Sequence, residues 1–584
     1  MAWPVRAHPH PQLKDEDDMP TPSDGSLFRR RSLLKAAGIG TAGAAGFPLL
    51  SACAEVSGGE GNVQEVDQTL DILPTYKEWP LPIEPDLVGE PPNHPSGYLA
   101  YPNPPAKAIA NPPSNSGSYQ VYVPNWGPAL AKDDPYLLAM QEATGGTKIE
   151  FVQSDGEAFA EASTQWIQAE EFGDAIFMFG WMTNSHAGFN ETVVNRFADI
   201  SDIVSGDIAE RWPLLAGRGD NAWADSVWSS DPEDPVGSAG IYGVPWGLLG
   251  GPSNAFFHRA DLLAEGGFAV PTTVEELLET ARAWSDDKAG RWAIGGTDYI
   301  SKAWFRLEAT GWLWDGSGLV HNYERSEFKE WVEFQRTLTD EKLRHPSVGS
   351  ADFDGKTLHR TGEILFDQDG WSRWWQMTQE VRATGENPAF ELGPVGALTF
   401  QGREPMYHSA WGVGGWLFFR KDLGEDAIAE LLDVSNYVAA PYGTKEYETV
   451  QFGFEGQQFE YDADGRPALT EAGVRGFQDS LSYTAMSGTT EYLLEGPADV
   501  IEARFAFDEA ILPYLDTNPF AGLRLTSPES GTNAGSVFDE KVNDIIYGRA
   551  ELSELDGAVA TWKSEGGDEA REFYEKAYKQ LHGE

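Results

Sequence analysis

Apolar and polar positions fall into an alternating series of strand-like and helix-like patterns over the first part of the globular chain. The predicted elements are strands at 119–123, 148–152 and 174–179, and helices at 134–143 and 158–170. Strands that alternate with helices in this way predict an α/β lobe built on a mainly parallel sheet.

Two tryptophans occupy positions directly after predicted strands of this lobe. Trp126 follows the first strand and Trp181 follows the third. Ligands of open α/β sheets bind beyond the carboxyl ends of the strands, so both indoles are predicted to lie in a binding zone. The alternative is ordinary core packing, which is the usual role of large aromatic residues.

A capping box marks the start of a later helix. Thr272 is predicted to cap it, and Glu275 follows three residues later, as a capping box requires. Leu277, Ala281 and Trp284 then share one helical face, which is predicted to be buried.

The N-terminal segment has the pattern of an export signal. Arg30 and Arg31 fit the twin-arginine export pattern, and a mild apolar stretch too short to span a bilayer follows them. Leu-Ser-Ala then precedes Cys53, which resembles a lipobox. Residues 1–53 are therefore predicted to be a twin-arginine lipoprotein signal peptide. Lipid on Cys53 would hold the protein at the outer face of the cell membrane. The alternative is an ordinary signal peptide with an incidental cysteine.

Residues 54–117 are rich in Pro, Gly, Asn and Ser and lack periodicity, which predicts an extended tether or a partly docked arm.

The chain has 584 residues, long enough for two lobes, and a net charge of −50, which argues against nucleic-acid binding. Cys53 is the single cysteine, so neither an internal disulfide nor a cysteine-based metal site is possible.

Several collinear segments resemble family 1 extracellular solute-binding proteins, which include the maltose-binding protein. They lie at 142–151, 242–246, 256–262, 266–278 and 361–366. Further segments at 453–465 and 546–568 resemble the oligosaccharide-binding branch of that family. Some proteins of that branch carry calcium. The Asp462-Ala-Asp-Gly turn lacks the later acidic ligands, so calcium stays possible and no metal or cofactor is predicted.

The resemblance implies a two-lobed, type II periplasmic-binding-protein fold of the α/β class, with a hinge and a ligand cleft between the lobes. The predicted divisions are lobe 1 at 118–245 and 408–452, lobe 2 at 246–407 and 453–540, and C-terminal helices at 541–584.

The resemblance also implies ligand-binding residues on loops between the lobes. Those predicted are Trp126, Trp181, Asn184, Trp246, Trp304, Asp369, Trp371, Arg373, Trp411 and Glu455. Of these, Trp371 is the leading candidate, while Asp369 and Arg373 have the alternative of pairing with each other.

The predicted function is capture of a carbohydrate, an oligosaccharide by preference, for the permease subunits of an ABC importer by a monomeric protein. A glycosidase or lyase is the least favoured alternative, because no Gly-x-Ser-x-Gly, His-Glu-x-x-His or P-loop motif occurs. Two further alternatives are a surface sensing protein and a carrier of peptide cargo.

Overall fold

The computed structural model describes residues 71–582 with gaps at 82, 90–93, 128, 187, 232, 249–253, 309, 351–352, 372, 375–376, 379–380, 382–386, 409–412, 464, 474–480, 489–492, 495–497, 517, 521 and 526. All described residues belong to one unit, Val63–Glu584. The predicted signal peptide with Arg30, Arg31 and Cys53 lies outside the described residues, and so does Trp411.

The strands of the described chain are β1 (Ser96–Gly97), β2 (Ser118–Asn125), β3 (Lys148–Asp155), β4 (Ala175–Phe179), β5 (Val227–Ser229), β6 (Ala239–Ile241), β7 (Gly243–Leu248), β8 (Asn254–Arg259), β9 (Trp292–Ile294), β10 (Trp312–Trp314), β11 (Leu319–His321), β12 (Ile364–Gly370), β13 (Leu392–Pro394), β14 (Tyr407–His408), β15 (Val413–Phe419), β16 (Phe459–Tyr461), β17 (Pro467–Leu469), β18 (Leu493–Leu494) and β19 (Leu515–Asp516).

The α-helices are α1 (Pro135–Ala143), α2 (Gly156–Ala169), α3 (Phe189–Arg196), α4 (Ser201–Val204), α5 (Pro213–Ala216), α6 (Asp220–Ala224), α7 (Ala260–Gly266), α8 (Val274–Trp284), α9 (Ser301–Trp304), α10 (Ser326–Asp340), α11 (Gly355–Thr361), α12 (Glu425–Val438), α13 (Lys445–Phe452), α14 (Ala498–Ile511), α15 (Glu529–Ile546), α16 (Leu555–Trp562) and α17 (Asp568–Leu581). Within the described residues, no helix combines the length and apolar character needed to cross a bilayer.

The first sheet has five strands in the order β3-β2-β4-β15-β7. β2 runs parallel to β3 and β4, whereas β15 runs antiparallel to β4 and β7. Four of the five strands therefore point the same way, which confirms the predicted mainly parallel sheet, and β15, which returns from late in the chain, inserts antiparallel between β4 and β7. A hydrophobic period reports that a segment is a strand and carries no information on its direction.

The second sheet has four strands in the order β13-β8-β12-β9. β8 is antiparallel to β12 and β13, and β12 is parallel to β9. The predicted buried face of α8 is confirmed, but its N-cap is Thr273, whose side chain accepts from Glu276 N. The cap lies one residue beyond the predicted Thr272, which instead donates to the Glu276 carboxylate.

Five strand ends lie beside the crossing between the two sheets. β7 ends at Leu248 next to Val413, the first residue of β15, and Gly415 two residues later pairs with Phe179 at the end of β4. On the other side of the crossing, Asn254 at the start of β8 pairs with Gly370 at the end of β12. The carboxyl ends of β4 and β12 therefore both adjoin the crossing.

The described part of the predicted tether is a docked arm. The Glu446 carboxylate of α13 accepts hydrogen bonds from the backbone N–H groups of Ala108 at 2.8 Å and Ile109 at 3.0 Å. Tyr98 is buried, and its ring lies 5.1 Å from that of Tyr442. Residues 71–117 thus pack on the globular part through hydrogen bonds and aromatic contacts.

Two of the predicted lobe boundaries differ from the observed packing. Gln153 of β3 donates to the carbonyl of Leu481 at 2.6 Å, and Ser435 of α12 donates to that of Met486 at 2.9 Å. The segment between these carbonyls packs with first-sheet elements, although the sequence assigned it to the second lobe. In addition, α15 runs without interruption through residues 540 and 541, where the sequence placed the start of the C-terminal helices.

Candidate binding cleft

Two half-exposed indoles lie together at the carboxyl ends of β2 and β4. Trp126 is 43% exposed and Trp181 is 46% exposed. Their ring centroids are 6.4 Å apart, and both rings pack on Phe179, at 5.8 Å and 6.5 Å. The zone predicted from the strand pattern therefore presents an aromatic surface to solvent.

Gly156 fixes the position of one of these indoles. It is the first residue of α2, and a Cβ atom there would overlap the Trp126 ring. The absence of a side chain at Gly156 lets the indole lie directly against the start of the helix.

Trp246 extends the aromatic surface toward the crossing. Its ring lies 5.2 Å from that of Phe179, and its indole N–H donates to the carbonyl of Thr484 at 2.6 Å. The indole is half-buried, and Gly414 and Gly488 approach it closely. Trp246 is thus held firmly by hinge packing at the edge of the predicted zone.

At the end of β12, Asp369 and Arg373 form an ion pair, which was the alternative considered for them. The Arg373 guanidinium also pairs with Asp367, and both of those side chains are buried. Burial raises the pKa of Asp367 to about 6, while Arg373 acts in the opposite direction. Arg373 is therefore a structural cation, whereas the Asp369 side chain remains 42% exposed.

Trp371 is half-buried and already stacked. The guanidinium carbon of Arg504, from α14, lies 3.4 Å from the centroid of the indole. Phe257 and Phe507 contact it at 5.6 Å and 4.8 Å. In this arrangement one face of the leading candidate indole is covered by the protein's own arginine.

The structure corrects the prediction for Trp304. This side chain is 1% exposed and packs against Phe256 at 5.3 Å and Phe334 at 6.0 Å, so it belongs to the core of the second lobe. Glu455 is exposed in the turn that joins α13 to β16. Asn184 lies in the short 3-10 helix Gly180–Ser185, and its side chain is outside the described part.

Tyr299 is a candidate that the sequence analysis did not single out. It follows β9 and is 51% exposed, and its backbone N–H donates to the Gln368 side chain of β12 at 3.0 Å. It therefore lies at the same edge of the second sheet as Asp369. Tyr299 comes five residues after the end of β9, and its place shortly after a strand is the signal that could have identified it, as it did for Trp126 and Trp181.

Exposed aromatic rings outside the docked arm concentrate at this edge of the fold. Among the large hydrophobic side chains described as exposed, the aromatic ones beyond residue 117 are Trp126, Trp181 and Tyr299. All three follow the carboxyl end of a sheet strand, two in the first sheet and one in the second. Because the carboxyl ends of β4 and β12 adjoin the crossing, the two groups flank it.

The fold has the two-lobed α/β architecture of solute-binding proteins, as the sequence predicted. An alginate-binding protein, AlgQ2, superposes with a TM-score of 0.58 at 11% identity, over 81% of this chain and 100% of its own. An HMO-binding, ABC-transporter-associated solute-binding protein of Bifidobacterium longum infantis superposes with a TM-score of 0.56 at 14% identity, over 80% and 99%.

In sequence, the chain is similar to the polygalacturonan/rhamnogalacturonan-binding protein YtcQ of Bacillus subtilis. The identity is 21% over 342 residues, which are 55% of this chain and 67% of the relative. No family model matches the chain. The resemblance to family 1 sugar-binding proteins that the sequence indicated is confirmed by these neighbours.

Among the described residues, no group of three or more His, Cys, Asp or Glu side chains has the arrangement to hold a metal ion.

Proposed function

We propose that this protein captures an oligosaccharide between its two lobes and delivers it to the permease subunits of an ABC importer. The observation that carries the proposal is the placement of exposed aromatic rings, Trp126 and Trp181 on one side of the crossing and Tyr299 on the other. The named binding proteins that share the fold bind glycans, and none of them is named as an enzyme.

A sugar ring suits this surface for two physical reasons. Its C–H faces pack on indole and phenol rings, and its hydroxyl groups donate charge-assisted hydrogen bonds to carboxylates such as the exposed one of Asp369. Trp126 and Trp181 lie side by side with centroids 6.4 Å apart, so they offer two adjacent platforms to successive rings of a chain. Closure of the lobes would exclude water and strengthen each hydrogen bond.

The cellular setting is part of the same proposal. Export through the twin-arginine route and lipid on Cys53 would place a monomer at the outer face of the membrane, beside its permease. In the described chain, residues 108 and 109 dock on α13, so an anchor on Cys53 would connect to the globular part through the segment that precedes this docked arm.

The test is a titration of the purified full-length protein with neutral and acidic oligosaccharides, followed by calorimetry and Trp fluorescence. An indole that loses about 100 Å² of exposed surface to a ligand contributes about 2.5 kcal/mol, so Trp181→Ala is expected to weaken binding about seventyfold. Trp126→Ala is expected to do the same. Tyr76→Ala is the matched control, since Tyr76 is an aromatic residue of similar exposure on the arm.

Two results would refute the proposal. One is a folded protein that binds no oligosaccharide of the panel. The other is binding that Tyr76→Ala weakens as much as Trp181→Ala does. Peptides are included as a separate arm, and saturable peptide binding without glycan binding would replace the carbohydrate with peptide cargo.

A further inference from the structure

A second cavity lies on the flank of the second lobe beside the edge strand β9, and one of its lining residues, Asp298, directly precedes Tyr299. It has a volume of about 910 Å³, within the range of small-molecule sites. The edge strand β9 contributes Trp292, the loop after α10 contributes Arg344 and His345, and the end of α15 contributes Asn543 and the following Tyr547. None of its lining residues belongs to the cleft candidates.

Arg344 is the unusual member of this lining. Its side chain is 3% exposed, and its Nη2 donates to the Gln335 side chain, but its Nε and Nη1 have no hydrogen-bond acceptor among the described residues. Arg344 approaches Asp298 at 3.6 Å, whereas the other two lining cations, Lys342 and Arg549, form closer ion pairs. Lys342 lies 2.8 Å from Asp287, and Arg549 lies 2.7 Å from Asp544. A buried guanidinium with unfilled donors is costly, and one that lines a cavity can be satisfied from it.

Unfilled acceptors line the same cavity. Asp298 Oδ1 and Thr339 Oγ1 are buried and have no hydrogen-bond partner in the described chain. The closest approach of Asp298 to Arg344 is 3.6 Å, beyond hydrogen-bond distance. Hydrogen-bond donors of Arg344 and acceptors of Asp298 and Thr339 without partners therefore line the same cavity. A simple anion would satisfy only the donors and would meet the carboxylates of Asp298 and Asp287, whereas hydroxyl groups both donate and accept.

Aromatic rings complete the wall. Tyr547 is half-buried and lies between Arg344 at 5.6 Å and Arg549 at 5.4 Å, and Trp292 packs edge-to-face on His345 at 4.7 Å. Half-buried planar rings beside mixed polar groups match the apolar face and the hydroxyl belt of a sugar.

We propose that this cavity is a second binding site for a neutral saccharide of one or two rings, separate from the cleft. It stands on Arg344, Asp298 and the flanking rings, and it does not depend on the function proposed for the cleft.

The test is a titration of the full-length protein with glucose, galactose and mannose, and with glucuronate as the charged counterpart, followed by calorimetry and saturation-transfer NMR. Hexose binding is expected to persist in Trp181→Ala and to fall at least tenfold in Arg344→Met. Because a buried substitution can disturb folding, Asn543→Trp provides a second variant. Asn543 is exposed at the rim, so a tryptophan there blocks the cavity without touching its buried groups.

Val537→Trp, exposed on the same helix outside the cavity, is expected to leave hexose binding unchanged. Three outcomes overturn the inference: no hexose binds, glucuronate binds at least as tightly as the hexoses, or hexose binding disappears in Trp181→Ala and survives in Asn543→Trp. Oligosaccharide binding that Trp181→Ala weakens would still support the cleft in every one of these cases.

Discussion

One buried carboxylate and two backbone hydrogen bonds of Ala106, to Gly443 and Lys445, attach the N-terminal arm at α13, and replacing the carboxylate is expected to loosen the arm after Ala106. Glu446 is 3% exposed, and its two oxygens accept from the N–H groups of Ala108 and Ile109. Glu446→Ala removes both acceptors and leaves the helix otherwise intact, since alanine favours helix. The expected effect is local opening of the arm rather than unfolding of the lobe.

The magnitude follows from those two hydrogen bonds. A hydrogen bond to a charged group stabilises by about 1.5–3 kcal/mol, so the pair gives about 3–6 kcal/mol. Ala108 and Ile109 are only half-buried, and their N–H groups bond to water when the arm lifts, so the lower value applies. A loss of about 3 kcal/mol raises the open population about a hundredfold.

Trypsin offers a direct assay of that opening, because Lys107 is exposed and the bond after it leads straight to Ala108. When opening is faster than cleavage, the cleavage rate follows the open population, so a rise of about a hundredfold at this bond is expected. Hydrogen exchange of the Ala108 and Ile109 amides gives an independent measure. Glu460→Ala, an exposed glutamate of β16, is the control. An unchanged cleavage rate in Glu446→Ala, or an equal rise in the control, would refute the reasoning.

Two further substitutions test the site and the core. Gly156→Ala is expected to displace the Trp126 indole and to weaken oligosaccharide binding about tenfold. The control is Gly424→Ala, at another helix start with open space around it, which is expected to leave the affinity unchanged. Equal affinities of the two variants in calorimetry would contradict the prediction. Burial raises the pKa of Glu308 to about 8, so the stability contributed by its folded, protonated form is present below about pH 4.5 and is lost as pH rises through about 8. Glu308→Gln is therefore expected to gain about 3 kcal/mol of unfolding free energy relative to the native chain between pH 5 and pH 8. A difference in melting temperature between the two proteins that does not change with pH would contradict this prediction.

The local elements of the first lobe could be predicted from sequence because they rest on short-range patterns. The helix predicted from Asp134 begins at Pro135 with Asp134 as its cap, and the strand predicted at 148–152 extends to Asp155. The position of Trp126 and Trp181 after strands was likewise readable, and their exposure is consistent with the predicted zone.

The docking of the arm could not be predicted, because its attachment leaves no hydrophobic period. Backbone N–H groups of residues 108 and 109 meet a carboxylate more than 330 positions away. Every residue except proline carries such an N–H group, so nothing in the local sequence distinguishes a docked segment from a free one. The burial of Trp304 could not be predicted either, because its packing partner Phe334 lies on the separate helix α10 and local sequence does not show this contact.

Trp371 shows how a long-range contact changes the role of a well-placed residue. The position of Trp371 after β12, beside Asp369 and Arg373, predicted that its indole stacks on a ligand. In the structure, Arg373 forms ion pairs with Asp367 and Asp369, and the Arg504 guanidinium covers one face of the indole. Arg504 in turn bonds to the buried Asp508 at 2.8 Å, which holds the guanidinium in place. A ligand that stacked on that face would have to displace Arg504, whose guanidinium both stacks on the indole and pairs with Asp508. Beyond the docked arm, the exposed large aromatic rings of the described chain are Trp126, Trp181 and Tyr299, so stacking of a ligand is expected to begin there, whereas Trp371 packs within the second lobe.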